Sequence, residues 1–471
     1  MSFFIIHILL FNIYLCYLKE RHCLKEEIFM DIIHSFVSAH NIVISAAILI
    51  LAYIFIATEK IPKVTIALLG AGSTILLGLV SQIKFVGGTF APHYFINFVD
   101  FNVIFLLVSM MIIVNISTRS GIFNWIANEL LKHTKGHPIK ILIALGLFTA
   151  VTSAFLDNVT TVILILPITF AIAKKLEIDP LPYLLTEIFS SNIGGTATLI
   201  GDPPNIIIGS AAGFSFMDFL YNLTVPIIVI MLITLGILTF IFKKNLHADS
   251  DKMAEIANLD NSNTITDKNL MLRSILILGL VILGFITHDI THIETCVCAM
   301  LGASILLLFE KPADILKDVE WNTIFFFIGL FIIIGGVEAS GGIKLMAEWI
   351  LNVTQGSQEA ASMLILWASG IISGVIDNIP YTATMAPMLQ VIEQSMGQDY
   401  TFPLWWCLSL GACLGGNLTI IGAAANVIVS ENSAAEGHPI AFLRFLKYGI
   451  TVVIISLLIS SVYIRYVYLY N

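Results

Sequence analysis

The chain has 471 residues, 58% of them hydrophobic and 12% charged, with a mean hydropathy of +0.93. That balance belongs to a polytopic membrane protein, and the lack of any long polar stretch excludes a large water-soluble domain. The formal charge of −9 names no partner, because acidic residues weigh little in membrane orientation, and no basic tract suggests nucleic acid.

In chain order, residues 2–18 are apolar but lack a basic flank and a small-residue cleavage site, so no signal peptide is expected. Met30 offers a second start, which would make 1–29 an upstream or accessory segment within an N-terminal extension, 1–41. Spans are expected at about 42–58, 63–82 and 101–118, followed by an amphipathic piece at 122–132 and an apolar pair at 139–156 and 159–173. Next come 181–211, interrupted by Gly194-Gly195, and 215–242. A polar linker, 243–270, separates this first repeat (42–242) from a second (271–471). The second has spans near 271–287, 293–309 and 322–338, an amphipathic piece at 343–353, a pair at 360–376 and 380–392, a broken span at 402–432, and 441–465.

The division rests on register. At an offset of 220, V-D-F-N-V-I-F (99–105) falls on V-E-W-N-T-I-F (319–325), Asp157-Asn158 on Asp377-Asn378, and Pro167 on Pro387. At 221, G-G-T-A-T-L-I-G-D-P-P-N (194–205) falls on G-G-N-L-T-I-I-G-A-A-A-N (415–426). Apolar similarity alone would not hold one register over more than a hundred residues, so the chain is an internal duplication. If each apolar pair is a re-entrant hairpin and the linker is cytoplasmic, each half crosses five times and the halves are inverted. On that topology 17 of the 23 Lys and Arg residues lie inside, with Lys84, Lys344 and Arg465 outside. Charge does not separate re-entrant pairs from crossing ones; the polar Asp-Asn tips favour re-entry, because they suit a midplane site.

Inverted repeats with interrupted helices are the pattern of secondary transporters. Broken half-helices offer N–H groups to anions and free carbonyls to Na+ or a similar hard cation. The candidate ligands are Asp157, Asn158, Thr160 and Thr161 at the first tip, and Asn192, Gly194, Gly195, Thr196, Thr198, Asp202 and Asn205 at the first break. Their counterparts are Asp377, Asn378 and Thr382, with Gly415, Gly416, Asn417, Thr419 and Asn426. Helix capping explains Asp157, Asp202 and Asp377 equally well and helix-to-helix hydrogen bonding is the alternative for the Asn and Thr residues, while the identical break in both halves speaks against close packing as the reason for the glycine pairs. Asp100 and Glu320 read as solvated or capping residues, and Glu187 as a weaker coupling candidate. The six cysteines (Cys16, Cys23, Cys296, Cys298, Cys407, Cys413) lack metal-ligand spacing and read as packing residues. D-P-P in the first half is A-A-A in the second, so Asp202 is a carboxylate without a counterpart, and the coupling group is expected among Asp157, Asp202 and Asp377.

S-A-F-L-D-N-V-T-T (153–161), N-I-G-G-T-A-T-L-I-G-D-P-P-N (192–205), D-N-I-P-Y-T-A-T-M (377–385) and L-G-A-C-L-G-G-N-L-T-I-I-G-A-A-A-N (410–426) together resemble the arsenite-permease and P-protein branch of the ion transporter superfamily. The resemblance implies an all-α inverted-repeat fold with scaffold and transport domains, often dimeric, working by an elevator-like movement. It implies a secondary active transporter in the lipid bilayer, expected in the plasma or bacterial inner membrane. The cargo is then a small inorganic or organic ion and the coupling ion Na+ or H+, with no other cofactor. An arsenite or antimonite efflux permease is the nearest alternative and an ion channel the alternative of another class. The D-N-V and D-N-I tips depart from the Ser-Asn-Thr signature of the dicarboxylate group, which speaks against a dicarboxylate cargo. No H-E-x-x-H or G-x-S-x-G suggests an enzyme.

Overall fold

The computed structural model describes residues 36–257, 261 and 264–470, so the expectation of a second start at Met30 lies outside the described residues. Two runs of helices follow the same order. The first comprises Asn41–Thr58, Lys63–Leu76, Phe101–Arg119, Ile122–Thr134, the hairpin Pro138–Phe155 and Asn158–Leu176, the broken pair Leu181–Gly195 and Pro203–Ala212, and Phe216–Phe242. The second comprises Lys268–Ile286, Thr295–Leu307, Trp321–Ala339, Gly342–Val353, the hairpin Gln358–Ile376 and Asn378–Met396, the broken pair Gln398–Gly415 and Ala424–Ala435, and Phe442–Ile464. Between 77 and 100 the chain makes a two-residue-per-strand hairpin, Phe85–Val86 with Thr89–Phe90. Inside the polar linker it forms a short helix, Ser250–Ala257.

Apolar content makes these segments helices that lipid or protein must cover, because lipid offers backbone groups no partner. Nine of the described helices are long and apolar enough to cross a membrane, both arms of the first hairpin among them. Two expected spans are shorter than the sequence suggests: Lys63–Leu76 has 14 residues and Thr295–Leu307 has 13. At about 1.5 Å per residue each covers roughly 20 Å, and each is braced by a long helix of the other half. Lys63–Leu76 packs on Trp321–Ala339, and Thr295–Leu307 packs on Phe101–Arg119.

The duplication is therefore intertwined. These paired helices form one group, called the scaffold below, and the hairpins and broken pairs form another, the hairpin group. Within the second, Pro138–Phe155 packs on Leu181–Gly195, and Gln358–Ile376 on Gln398–Gly415. The other hairpin arms cross over: Asn158–Leu176 meets Ala424–Ala435, and Asn378–Met396 meets Pro203–Ala212. Gly194 permits the first of these contacts, since a Cβ there would sit 2.1 Å from the carbonyl oxygen of Ala150, and Gly415 meets the Gly370 oxygen at 2.5 Å in the same way. These glycines thus serve close helix packing, in both halves alike.

Ion pairs join distant segments: Arg119 meets Asp318 at 2.6 Å, Lys252 meets Glu177 at 2.5 Å, Arg444 meets Asp179 at 3.8 Å and Arg465 meets Glu359 at 3.0 Å.

Candidate functional site

The two hairpin tips and the two helix breaks converge on Asp202. Asn158 Nδ2, from the first tip, donates to Asp202 Oδ1 at 3.1 Å. Asn378 Nδ2, from the second, donates to both Asp202 oxygens at 3.4 and 3.2 Å. Asp202 is 0% exposed and, among the described residues, forms no ion pair with a basic side chain. It precedes Pro203–Ala212 in the N-cap place, yet its side chain caps nothing. Capping does explain the other two carboxylates. Asp157 accepts from Thr160 N at 2.9 Å and Thr160 Oγ1 at 2.5 Å, and Asp377 accepts from Ile379 N at 3.1 Å.

These residues line a cavity of about 240 Å³, together with Lys63, Glu320, Asn322 and Thr323 from the scaffold helices. Glu320 is thus a correction: it is half-buried, makes no cap, accepts from Thr323 Oγ1 at 3.0 Å, and faces the cavity. Asp100, its repeat counterpart, does cap, accepting from Asn102 N and Val103 N at 3.0 and 3.3 Å. Lys63 was missed altogether. Its Nζ lies 2.5 Å from Asp377 Oδ2.

The remaining candidates stand behind the cavity wall, where they hold the breaks open. Asn205 Nδ2 donates to the carbonyls of Thr196 and Thr198 at 3.0 and 2.8 Å. Asn426 Nδ2 donates to those of Gly416 and Thr419 at 2.7 and 2.8 Å. The Thr198 hydroxyl donates to the Ala154 carbonyl, and its counterpart Thr419 to the Gly374 carbonyl at 2.6 Å. Asn205 Oδ1 also accepts from Ser409 Oγ at 2.7 Å. Both asparagines expected as ligands are in effect staples, because their amide hydrogens are committed to unwound carbonyls, of which Thr419 alone has a second donor, the Gly422 amide. Gly194, Gly195, Gly415 and Gly416 likewise sit in the packed breaks and not on the cavity wall.

Asn192 links the halves. Its Nδ2 donates to Asn417 Oδ1 and Asn426 Oδ1, both at 2.9 Å, and its Oδ1 accepts from Asn158 at 3.1 Å. In the second repeat its position is held by Cys413, whose Sγ reaches Asn205 Oδ1 at 3.5 Å. Cys413 is thus part of this network, not only packing. Among the described residues, Thr161 Oγ1, Thr382 Oγ1 and Asn417 Nδ2 are buried and find no hydrogen-bond partner. Thr196 returns its hydroxyl to the Asn192 carbonyl at 2.7 Å. Glu187 is buried away from the cavity, where the Thr169 hydroxyl donates to it.

With both Nδ2 groups turned to Asp202, no donor reaches Asn158 Oδ1 or Asn378 Oδ1 among the described residues. The cavity wall therefore offers carboxylate and amide oxygens, the ligand set of a hard cation.

Residues 53–411 match the citrate transporter family, CitMHS. The chain is a member of the citrate transporter family. It is 40% identical over 430 residues to a 46 kDa membrane protein of Mycobacterium leprae, covering 91% of this chain and 99% of that one. It is 38% identical to an uncharacterized transporter of Mycobacterium tuberculosis, covering 90% and 97%. The human P protein is 28% identical over 504 residues, which take in 90% of this transporter and 60% of the P protein. The solved YdaH transporter of Alcanivorax borkumensis shares the fold at a TM-score of 0.50 with 11% identity, covering 90% of this chain and 97% of that one. The citrate-transporter-family protein described here is thus an integral membrane transporter, consistent with a plasma-membrane location.

Proposed function

We propose that this transporter is a secondary active carrier driven by Na+ or H+, with Asp202 as the coupling group and alternating access produced by movement of the hairpin and broken-helix group against the scaffold. The observation that carries the reading is Asp202: fully buried, held by two neutral amides, with no basic partner among the described residues. A charge so placed is tolerated only with a proton or a cation beside it. The meeting of the tips supports re-entrant hairpins. If the halves are inverted, their hairpins enter from opposite faces, and two tips that share one acceptor must lie at one depth.

The cavity wall bears four carboxylates (Asp157, Asp202, Glu320, Asp377) and one ammonium, three negative charges in excess when all are ionised. An anionic cargo, citrate included, would be repelled unless cations or protons entered with it, and that requirement is itself a coupling mechanism. The test is a flux panel in proteoliposomes under imposed Na+ and pH gradients, with citrate, other carboxylates, chloride and arsenite as cargo. Saturable uptake of one cargo that follows one gradient is expected. Flux that never saturates and ignores both gradients would mark a channel instead.

A further inference from the structure

The tips differ in how they hold their carboxylates. At the first tip, Asp157 is satisfied locally by the amide and hydroxyl of Thr160. The matching residue at the second tip is Pro380, which has neither an N–H nor a hydroxyl to give. Asp377 keeps only the Ile379 amide, stands at φ 113°, a region that non-glycine residues rarely adopt, and is 1% exposed. What replaces the missing donors comes from the scaffold. Lys63, first residue of Lys63–Leu76, places its ammonium 2.5 Å from Asp377 Oδ2. The corresponding helix of the other repeat opens on Thr295, which carries no charge.

We propose that Lys63 is a tethered stand-in for the transported or coupling cation, occupying the cation place at Asp377 when the carrier is unloaded and being displaced when an inorganic cation binds; the proposal rests on the ion-coupled reading above. One ammonium among four carboxylates neutralises only part of the wall, so a metal cation retains a reason to enter. The lysine side chain is 26% exposed and its stem flexible, so the ammonium has room to leave the carboxylate once released. Because Lys63 belongs to the scaffold and Asp377 to the hairpin group, the pair also ties the two together in the unloaded state. Cation binding therefore does two things with one event: it fills the site and unlocks the moving part. Tyr53 supports the same seam, donating to the Pro380 carbonyl at 2.6 Å.

The test uses the full-length protein in detergent, titrated with LiCl, NaCl or KCl against choline chloride at constant ionic strength and pH. Acylation of Lys63 by an N-hydroxysuccinimide ester, read by peptide mass spectrometry, is expected to speed up several-fold with at least one alkali cation. The same cation is expected to raise the melting temperature of Lys63→Gln at roughly tenfold lower concentration than wild type, within the usual range of coupling between competing ligands. Lys63→Arg should restore the wild-type midpoint. If a cation stabilises the protein while Lys63 acylation stays flat, or Lys63→Gln needs as much salt as wild type, the stand-in role is wrong and cation coupling survives. If no alkali cation changes either readout, the stand-in role fails, and the gradient-driven flux assay decides coupling separately.

Discussion

Asp202→Asn is expected to abolish gradient-driven uptake, by at least about a hundredfold, while the protein still folds and melts within roughly 1 kcal/mol of wild type. The asparagine keeps an oxygen for the Asn158 and Asn378 amides and removes a buried charge whose desolvation is costly, so stability has little to lose. It can neither release a proton nor compensate a cation, so coupling has everything to lose. Asp202→Ala should differ in stability. It leaves the buried Asn378 amide without an acceptor and the Asn158 amide with Asn192 alone, at about 1–3 kcal/mol for each lost partner, and a lower melting temperature should accompany the lost transport. Undiminished coupled transport by Asp202→Asn would remove this residue from the mechanism.

The second large effect is structural. Asn205→Ala and Asn426→Ala should each destabilise the transporter by roughly 3 kcal/mol in thermal melting. Asn205→Ala strips the buried carbonyls of Thr196 and Thr198 of their donor; Asn426→Ala strips that of Gly416 and leaves Thr419 with the Gly422 amide alone. Asn205→Ala should be the worse of the two in detergent, because Ser409 also loses its acceptor, whereas Asn192, which loses Asn426, keeps Asn417. If both variants melt like wild type, the breaks are held by something other than these amides.

That contrast shows what sequence could and could not convey. The repeat register carried over into the backbone: Gly121 and Gly341, one repeat apart, take φ values of 81° and 88°, and Pro167 and Pro387 both lie inside the second hairpin arms. Asp202 was legible because a carboxylate facing alanine across a duplication is visible in letters alone. The division of labour between Asn158 and Asn205 was not. Both are buried asparagines in matched motifs, and only the geometry separates an amide that faces the cavity from one that staples a helix break. Along the chain Lys63 does no more than open the expected span at 63–82, and Glu320 reads as a solvated or capping residue ahead of the span at 322–338. Their place at the cavity comes from Lys63–Leu76 packing on Trp321–Ala339, a contact between residues more than two hundred positions apart. Cys413 was hidden for a different reason: its role follows from standing where the first repeat has Asn192, and a thiol does not advertise itself as an amide's replacement.

The convergence of both tips on one depth is tested most directly by cross-linking in the membrane. With Asn158→Cys and Asn378→Cys in a background whose native cysteines are replaced, a short bifunctional thiol reagent should join the two positions in native vesicles. Neither single variant should form that link. If the tips instead fail to cross-link and each reacts with an impermeant thiol reagent from a different side of the membrane, the hairpins cross the bilayer, and no shared site at Asp202 exists.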